Sequence, residues 1–225
     1  MSFGTALYTI FLKPLEMIFE LIYNAAYQNI QNPGLSIIAL SLAINFLVLP
    51  LYMRADAIQK EERDTEAKLD KWVRHIKKAF RGDERTMMLQ TYYRQNNYSP
   101  FYVLRSSISL VLQIPFFTAA YRFLSKLELL EGASFGPIAD LSKPDGLIVI
   151  GALSINILPI LMTCFNLVSC IVYSRDCPLK TKLQLYGMAA FFLVFLYNSP
   201  SGLAFYWTLN NVFSLIKNVF YKLYT

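Results

Sequence analysis

The chain has 225 residues, of which 55% are hydrophobic and 16% charged, with a formal net charge of +6. This balance excludes an ordinary soluble domain and reads as one polytopic membrane unit, since roughly 20 apolar residues cross a hydrocarbon core of about 30 Å. Cys164, Cys170 and Cys177 have neither disulfide-framework nor metal-ligand spacing, and read as small buried apolar residues.

Residues 1–33 form an extracytoplasmic N-terminal segment. Met1–Leu12 is apolar but lacks a basic leader and a small-residue cleavage site, so no processed signal peptide is expected. Leu7, Phe11, Leu15, Ile18, Phe19 and Ile22 recur at helical spacing, with Lys13, Glu16 and Glu20 between them. That pattern predicts an amphipathic helix lying on the outer membrane surface.

Residues 34–225 form the core, with predicted spans at Leu35–Met53, Phe101–Leu124, Leu147–Tyr173, Leu185–Tyr197 and Leu203–Phe220. The fourth is short, and Pro200 and Gly202 divide it from the fifth. Between the first two spans, residues 54–98 carry 11 basic and 8 acidic side chains. Ile58, Leu69, Trp72, Val73, Ile76 and Phe80 precede a turn at Arg81-Gly82-Asp83, and Met87, Met88, Leu89, Tyr92 and Tyr93 follow it. Two helices pairing these stripes make a hairpin, with Trp72, Arg74, Gly82 and Met87 as its candidate functional positions. Its near-balanced charge predicts no direct nucleic-acid recognition. Seventeen of the 21 Lys and Arg residues fall on the hairpin's side of the five-span layout. The excess places hairpin and C-terminus in the cytoplasm and the N-terminus outside.

Polar residues recur within the spans at helical steps: Ser41 and Asn45; Arg105, Ser109 and Gln113; Asn156, Thr163 and Asn166; Tyr206, Asn210 and Ser214. Two explanations stand side by side. One is hydrogen bonding between helices, worth about 0.6 kcal/mol per contact. The other is a shared hydrated cavity opening to the cytoplasm. Arg105, about one turn inside its span, is also placed to snorkel to the headgroups.

No catalytic set emerges. Ser201 lies at the outer surface and the single histidine, His75, in the cytoplasmic hairpin, which excludes a Ser–His pair. The spans hold no carboxylates for a proton relay, and there is no glycine-rich phosphate loop. No enzyme activity, cofactor or metal is expected.

Several fragments, in order, resemble the YidC/Oxa/Alb family of membrane protein insertases. They are Pro14-Leu15, Leu49-Pro50-Leu51, Gly82-Asp83 with Met87-Met88, Gln113-Ile114-Pro115-Phe116-Phe117, Asp140-Leu141-Ser142, and Pro200-Ser201-Gly202-Leu203 with Tyr206-Trp207 and Asn210-Asn211. The resemblance implies an all-α membrane protein with five transmembrane helices, an amphipathic outer surface helix and a cytoplasmic helical hairpin. It further implies a groove open to the cytoplasm and to lipid, through which polar tails of client proteins pass while hydrophobic segments slide along the first and fifth spans. The expected groove residues are Ser41, Asn45, Arg105, Ser109, Gln113, Asn156, Tyr206 and Asn210.

The implied partners are newly made membrane proteins and the lipid bilayer, with the ribosome and the Sec translocon as further candidates. The bacterial inner membrane is the expected location. Many bacterial members carry a groove arginine where this chain has Asn45, so Arg105 is expected to supply part of the missing charge. The chain also ends at Thr225 without a basic extension. An assembly scaffold without insertase activity and a small-molecule transporter are the alternative functions.

Overall fold

A computed structural model describes residues 8–98, 108–151, 153–174 and 179–224. They are mostly helical. A π-helical turn, Tyr8–Leu12, leads into α1 (Lys13–Ile30), α2 (Pro33–Ala79), α3 (Gly82–Gln95) and α4 (Ile108–Leu124). A 3-10 turn (Glu128–Leu130) and a two-stranded antiparallel hairpin, β1 (Ile148–Ile150) and β2 (Leu153–Ile155), follow. The chain ends with α5 (Ile157–Ser174), α6 (Leu179–Leu196) and α7 (Ser201–Tyr224). It divides into two compact units, Met1–Leu47 with Phe116–Thr225, and Val48–Pro115.

Three elements differ from the sequence expectation. First, α2 continues through Pro50 for 47 residues, fusing the first predicted span with the first hairpin helix. A proline removes one helical hydrogen bond, and the strong helix formers after it (Ala55, Gln59, Lys60, Glu61) carry the helix on. Second, α5 begins at Ile157 instead of Leu147. The β-branched run Ile148-Val149-Ile150 pairs instead with Leu153–Ile155, and Gly151 supplies the positive φ of the turn. Third, α6 starts at Leu179, which lengthens the short fourth segment to 18 residues. The first part of the second predicted span, 101–107, lies outside the described residues.

In the first unit, α1 has two apolar faces. Phe19 and Tyr23, four residues apart, are fully buried against the Phe123 ring, and Phe19 also meets Tyr206. Ile10 and Phe11 in the preceding turn and Met17 and Leu21 on the helix face outward, so of the predicted stripe Phe19 turns to protein and Phe11 to the exterior. Glu16 fastens the helix by an ion pair with Arg122 and accepts a hydrogen bond from the Tyr8 hydroxyl. Asn32 caps α2 through Oδ1 to the Leu35 N–H, 3.0 Å, with Pro33 in the first helical position. Beyond it, α5 packs on both α6 and α7.

The loop after α4 closes over the start of α7. The Ser201 N–H donates to Lys143 O at 2.7 Å and the Gly202 N–H to Leu141 O at 2.8 Å, satisfying two amides that a helix start leaves open. Ser201 Oγ donates to Asp140 O. A Cβ on Gly202 would sit 3.0 Å from Leu130 Cδ1 and 3.1 Å from Leu141 O, which is why glycine follows Ser201. Asp140 organises the loop: Lys143 Nζ lies 2.8 Å from Oδ2, and Oδ1 accepts from the Ser142 hydroxyl, the Ser142 N–H and the Gly132 N–H. Lys143 first, then Ser142, hold this carboxyl well below the usual carboxylate range.

Two predictions follow from this packing. A Cβ on Gly34 would overlap the Phe135 ring. Gly34→Ala should therefore destabilise the protein by about 1–3 kcal/mol, read as a lower Tm in detergent. Asp140 has a depressed pKa, so its contribution is present above the unfolded carboxylate value of about 4 and lost as pH falls through the lower folded value. Wild-type protein should lose Tm across that acid range, and Asp140→Asn should start lower at neutral pH and show a flatter acid limb.

Candidate functional site

The first unit has an apolar core that also takes in polar side chains, while many large apolar side chains lie on its exterior. Ser36, Ser41, Thr163, Ser169, Thr208 and Asn211 are buried, whereas Leu42, Phe46, Leu47, Ile171, Val194 and Phe220 are exposed. An apolar exterior with polar side chains turned inward suits lipid as solvent, because lipid offers polar groups no partner. By length and composition, Pro33–Ala79 includes a stretch able to cross a bilayer, and Ile157–Tyr173 and Lys182–Leu196 are shorter apolar helices.

Inward polar side chains converge where α2 meets α7. Asn210 Oδ1 accepts from Ser41 Oγ at 2.7 Å and from Asn45 Nδ2 at 2.6 Å. Asn45 Nδ2 also reaches back to Ser41 O at 2.8 Å and Ser41 Oγ at 3.3 Å. Ser41 is only 2% exposed, whereas Asn45 and Asn210 are half-buried. Phe46 and Phe213 pack edge to face beside the cluster. Three of the eight expected groove residues are thus brought together, all of them uncharged.

The other five are placed differently. Asn156 sits at the foot of α5, accepting from the Gly146 N–H and donating to Tyr197 O, so it ties loops together and has no part in the cluster. Tyr206 is buried in aromatic packing against Phe19 and Trp207. Gln113 is half-buried on α4, in the second unit. Ser109 lies on α4, and Arg105 falls outside the described residues.

A second polar seam joins α5 to α7. Asn166 Nδ2 donates to Asn211 Oδ1 at 2.8 Å, Asn211 Nδ2 to Trp207 O at 2.9 Å, and Asn218 Nδ2 to Ser169 Oγ at 2.9 Å. Ser169 and Asn218 were not singled out from sequence. The spacing that could have shown them is Asn166 with Ser169, three apart, facing Asn211 with Asn218, seven apart. Of the cysteines, Cys170 is buried and donates to Asn166 Oδ1, Cys164 is exposed contrary to expectation, and Cys177 lies outside the described residues.

In the second unit the buried face of α2 is Leu69, Val73 and Ile76, together with Gln59 and Glu62. Tyr98 donates to Glu62, and Tyr93 lies beside Glu66 and Asp70. Burial first, and these carboxylates next, push both phenols above their ordinary value. Two predicted pairing residues turn outward instead: Trp72 is 58% exposed, edge-on to His75, and Met87 is 70% exposed. Arg74 pairs with Asp70 one helical turn away. Gly82 opens α3 at φ +58°, a backbone state that favours glycine.

The chain is similar to proteins named membrane protein insertase YidC. The match is 24% identical for Treponema denticola, covering 93% of this chain and 37% of that protein. It is 29% identical for Ralstonia nicotianae, covering 92% and 34%, and 28% for Leptospira interrogans, covering 95% and 34%. The chain thus spans about a third of the length of the curated relatives it matches. A crystal structure of active YidC insertase with its first transmembrane domain resolved has the same fold, with a TM-score of 0.57 at 19% identity over 92% of this chain and 46% of that one. The family model described as 60Kd inner membrane protein matches residues 25–225, nearly the whole chain, which therefore belongs to that family, the YidC-type insertase family its motifs resemble.

Proposed function

We propose that this chain is a membrane protein insertase and chaperone, easing hydrophobic segments and short polar tails of client proteins into the bilayer through a hydrophilic groove open to the cytoplasm. The observation that carries the reading is the Ser41–Asn45–Asn210 cluster, polar and partly accessible, on helices whose neighbouring Phe46 and Leu47 face outward at 63% and 56% exposure. The names of the YidC relatives support it.

In this reading the five spans lie in the first half of α2 and in α4, α5, α6 and α7. The α1 helix and the turn before it rest on the outer membrane surface, with the exposed Ile10, Phe11, Met17 and Leu21 toward lipid. Residues 1–33 form the outer segment, 34–225 the insertase core and 54–98 a cytoplasmic hairpin. The N-terminus is outside and the C-terminus in the cytoplasm of a bacterial inner membrane. Arg105, Ser109 and Gln113 are groove candidates on the sequence pattern alone. Clients and lipid are the partners, with the ribosome and Sec translocon as further ones.

The mechanism is non-enzymatic. A polar tail crossing bare hydrocarbon leaves each backbone group unsatisfied, at several kcal/mol apiece. A groove with amide and hydroxyl groups lowers that barrier, and burial of the client's own apolar segment in lipid, about 25 cal/mol per Å², drives the process forward.

A photocrosslinker at position 45 should capture a single-span nascent client, and one at the outward-facing Leu47 should capture far less. Equal capture at both positions would contradict the proposed path. Asn210→Leu strips Ser41 and Asn45 of their shared acceptor. It should cost about 1–3 kcal/mol of stability and lower complementation of an insertase-depleted strain, measured by growth and by client insertion.

A further inference from the structure

The two seams on α7 differ in how far their hydrogen-bonding capacity is used. Asn211, 7% exposed, donates to Trp207 O and accepts from Asn166, so both ends of its amide are engaged. On the other side, Asn210 Oδ1 is saturated by two donors from α2, while Asn210 Nδ2 makes no hydrogen bond among the described residues. Asn45 shows the complement: its Nδ2 is engaged with Ser41 and Asn210, and its Oδ1 accepts nothing among the described residues. An asparagine amide offers two donor hydrogens and two acceptor sites, so each residue keeps half its capacity.

The unused halves are a donor and an acceptor, locked together through the 2.6 Å bond between the two side chains. Both residues are half-buried, which keeps the pair accessible. Every hydrogen bond of the cluster runs between neutral groups. The nearest cation further along α7, Lys217, is seven residues away, about 10 Å along the axis at 1.5 Å per residue, and is already engaged with another group.

We propose that Asn45 and Asn210 form an uncharged clamp for peptide groups, Asn210 Nδ2 donating to a client carbonyl and Asn45 Oδ1 accepting from a client N–H. This rests on the insertase reading and names the client chemistry it selects. A peptide unit, or a Ser, Thr, Asn or Gln side chain, presents one donor and one acceptor and satisfies the pair. A carboxylate presents acceptors only. It can use the Asn210 donor, leaves Asn45 Oδ1 unpaired, and sheds its water with no cation among the described hydrogen bonds of the cluster to offset the cost. The chain should therefore prefer clients whose translocated tails are polar and uncharged over clients with acidic tails.

The test uses the full chain in proteoliposomes and a single-span client with a short translocated tail, all Ser/Gln/Asn or with three of those residues replaced by Asp. Insertion is read by protease protection and corrected for protein-free vesicles. Wild type should insert the uncharged tail about tenfold faster than the acidic one. Asn45→Arg should shrink or reverse that ratio, because a cation now meets the carboxylates. Asn210→Asp keeps the acceptor for Ser41 and Asn45 but removes the free donor, and should slow the uncharged tail, with Tm confirming that the variant is folded. Equal wild-type rates for both tails, or an unchanged ratio in folded Asn45→Arg, would overturn the clamp while leaving the insertase reading standing. Insertion of neither tail above the vesicle background would overturn both.

Discussion

A single acceptor, Asn210 Oδ1, takes hydrogen bonds from two residues on successive turns of α2, and much of the first unit is arranged around that pairing. Ser41 and Asn45 are one turn apart, so they can converge on one atom only if α7 crosses α2 at their level and in one rotational setting. Ile37, Leu40 and Ile44 on α2, and Leu203, Ala204 and Trp207 on α7, are all buried, so apolar packing holds the same register. With Leu, Phe and Val on the exterior, water outside the bundle is not the alternative partner it would be on a soluble protein. The buried amide of Asn211 accordingly finds its partners on another helix and on its own backbone.

The start of α7 is set by a different device. Lys143 O and Leu141 O cap its first amides, and Asp140 holds the loop that carries those carbonyls. The fragments Asp140-Leu141-Ser142 and Pro200-Ser201-Gly202 are therefore two halves of one joint. Their role is to fix where α7 begins, which in turn fixes the height at which Asn210 meets α2. A change at this joint, far from the polar cluster in sequence, would reach the cluster through the axis of α7.

Much of this is legible in the amino-acid sequence. Apolar runs marked the helices, and the four-residue step from Ser41 to Asn45 identified one polar face correctly. The errors trace to ambiguity in short apolar stretches. Residues 147–155 read equally well as the start of a buried helix or as a strand pair, and periodicity does not separate the two. Counting them as helix put Asn156 inside a span and made it a groove residue, whereas at the true start of α5 it binds Gly146 and Tyr197. As inward-pairing residues, Trp72 and Met87 mislead for another reason. Trp72 neighbours Val73 on a charged stretch of α2 whose buried stripe (Gln59, Glu62, Leu69, Val73, Ile76) is narrow, and α3, which carries Met87, buries no side chain among its described residues. Partner choice across helices, such as Asn166 with Asn211, depends on rotation about the axis, which spacing within one helix does not encode.

That rotation gives α7 its two roles. Asn210 and Asn211 are consecutive, so their side chains diverge by about 100° around the helix, one toward α2 and the other toward α5. Turning α7 by one residue would break both seams together, so the helix is held from two sides. The α5 seam is reinforced by Asn218 with Ser169 and leaves the Asn211 amide engaged at both ends, the signature of an interface built to stay closed. The α2 seam shares one acceptor between two donors and leaves half of each asparagine free. A third hydrogen-bonding group can add to that seam without displacing a bond already made. On the proposed insertase reading, it is on this side that a client polypeptide would meet the least resistance from the packing it has to enter.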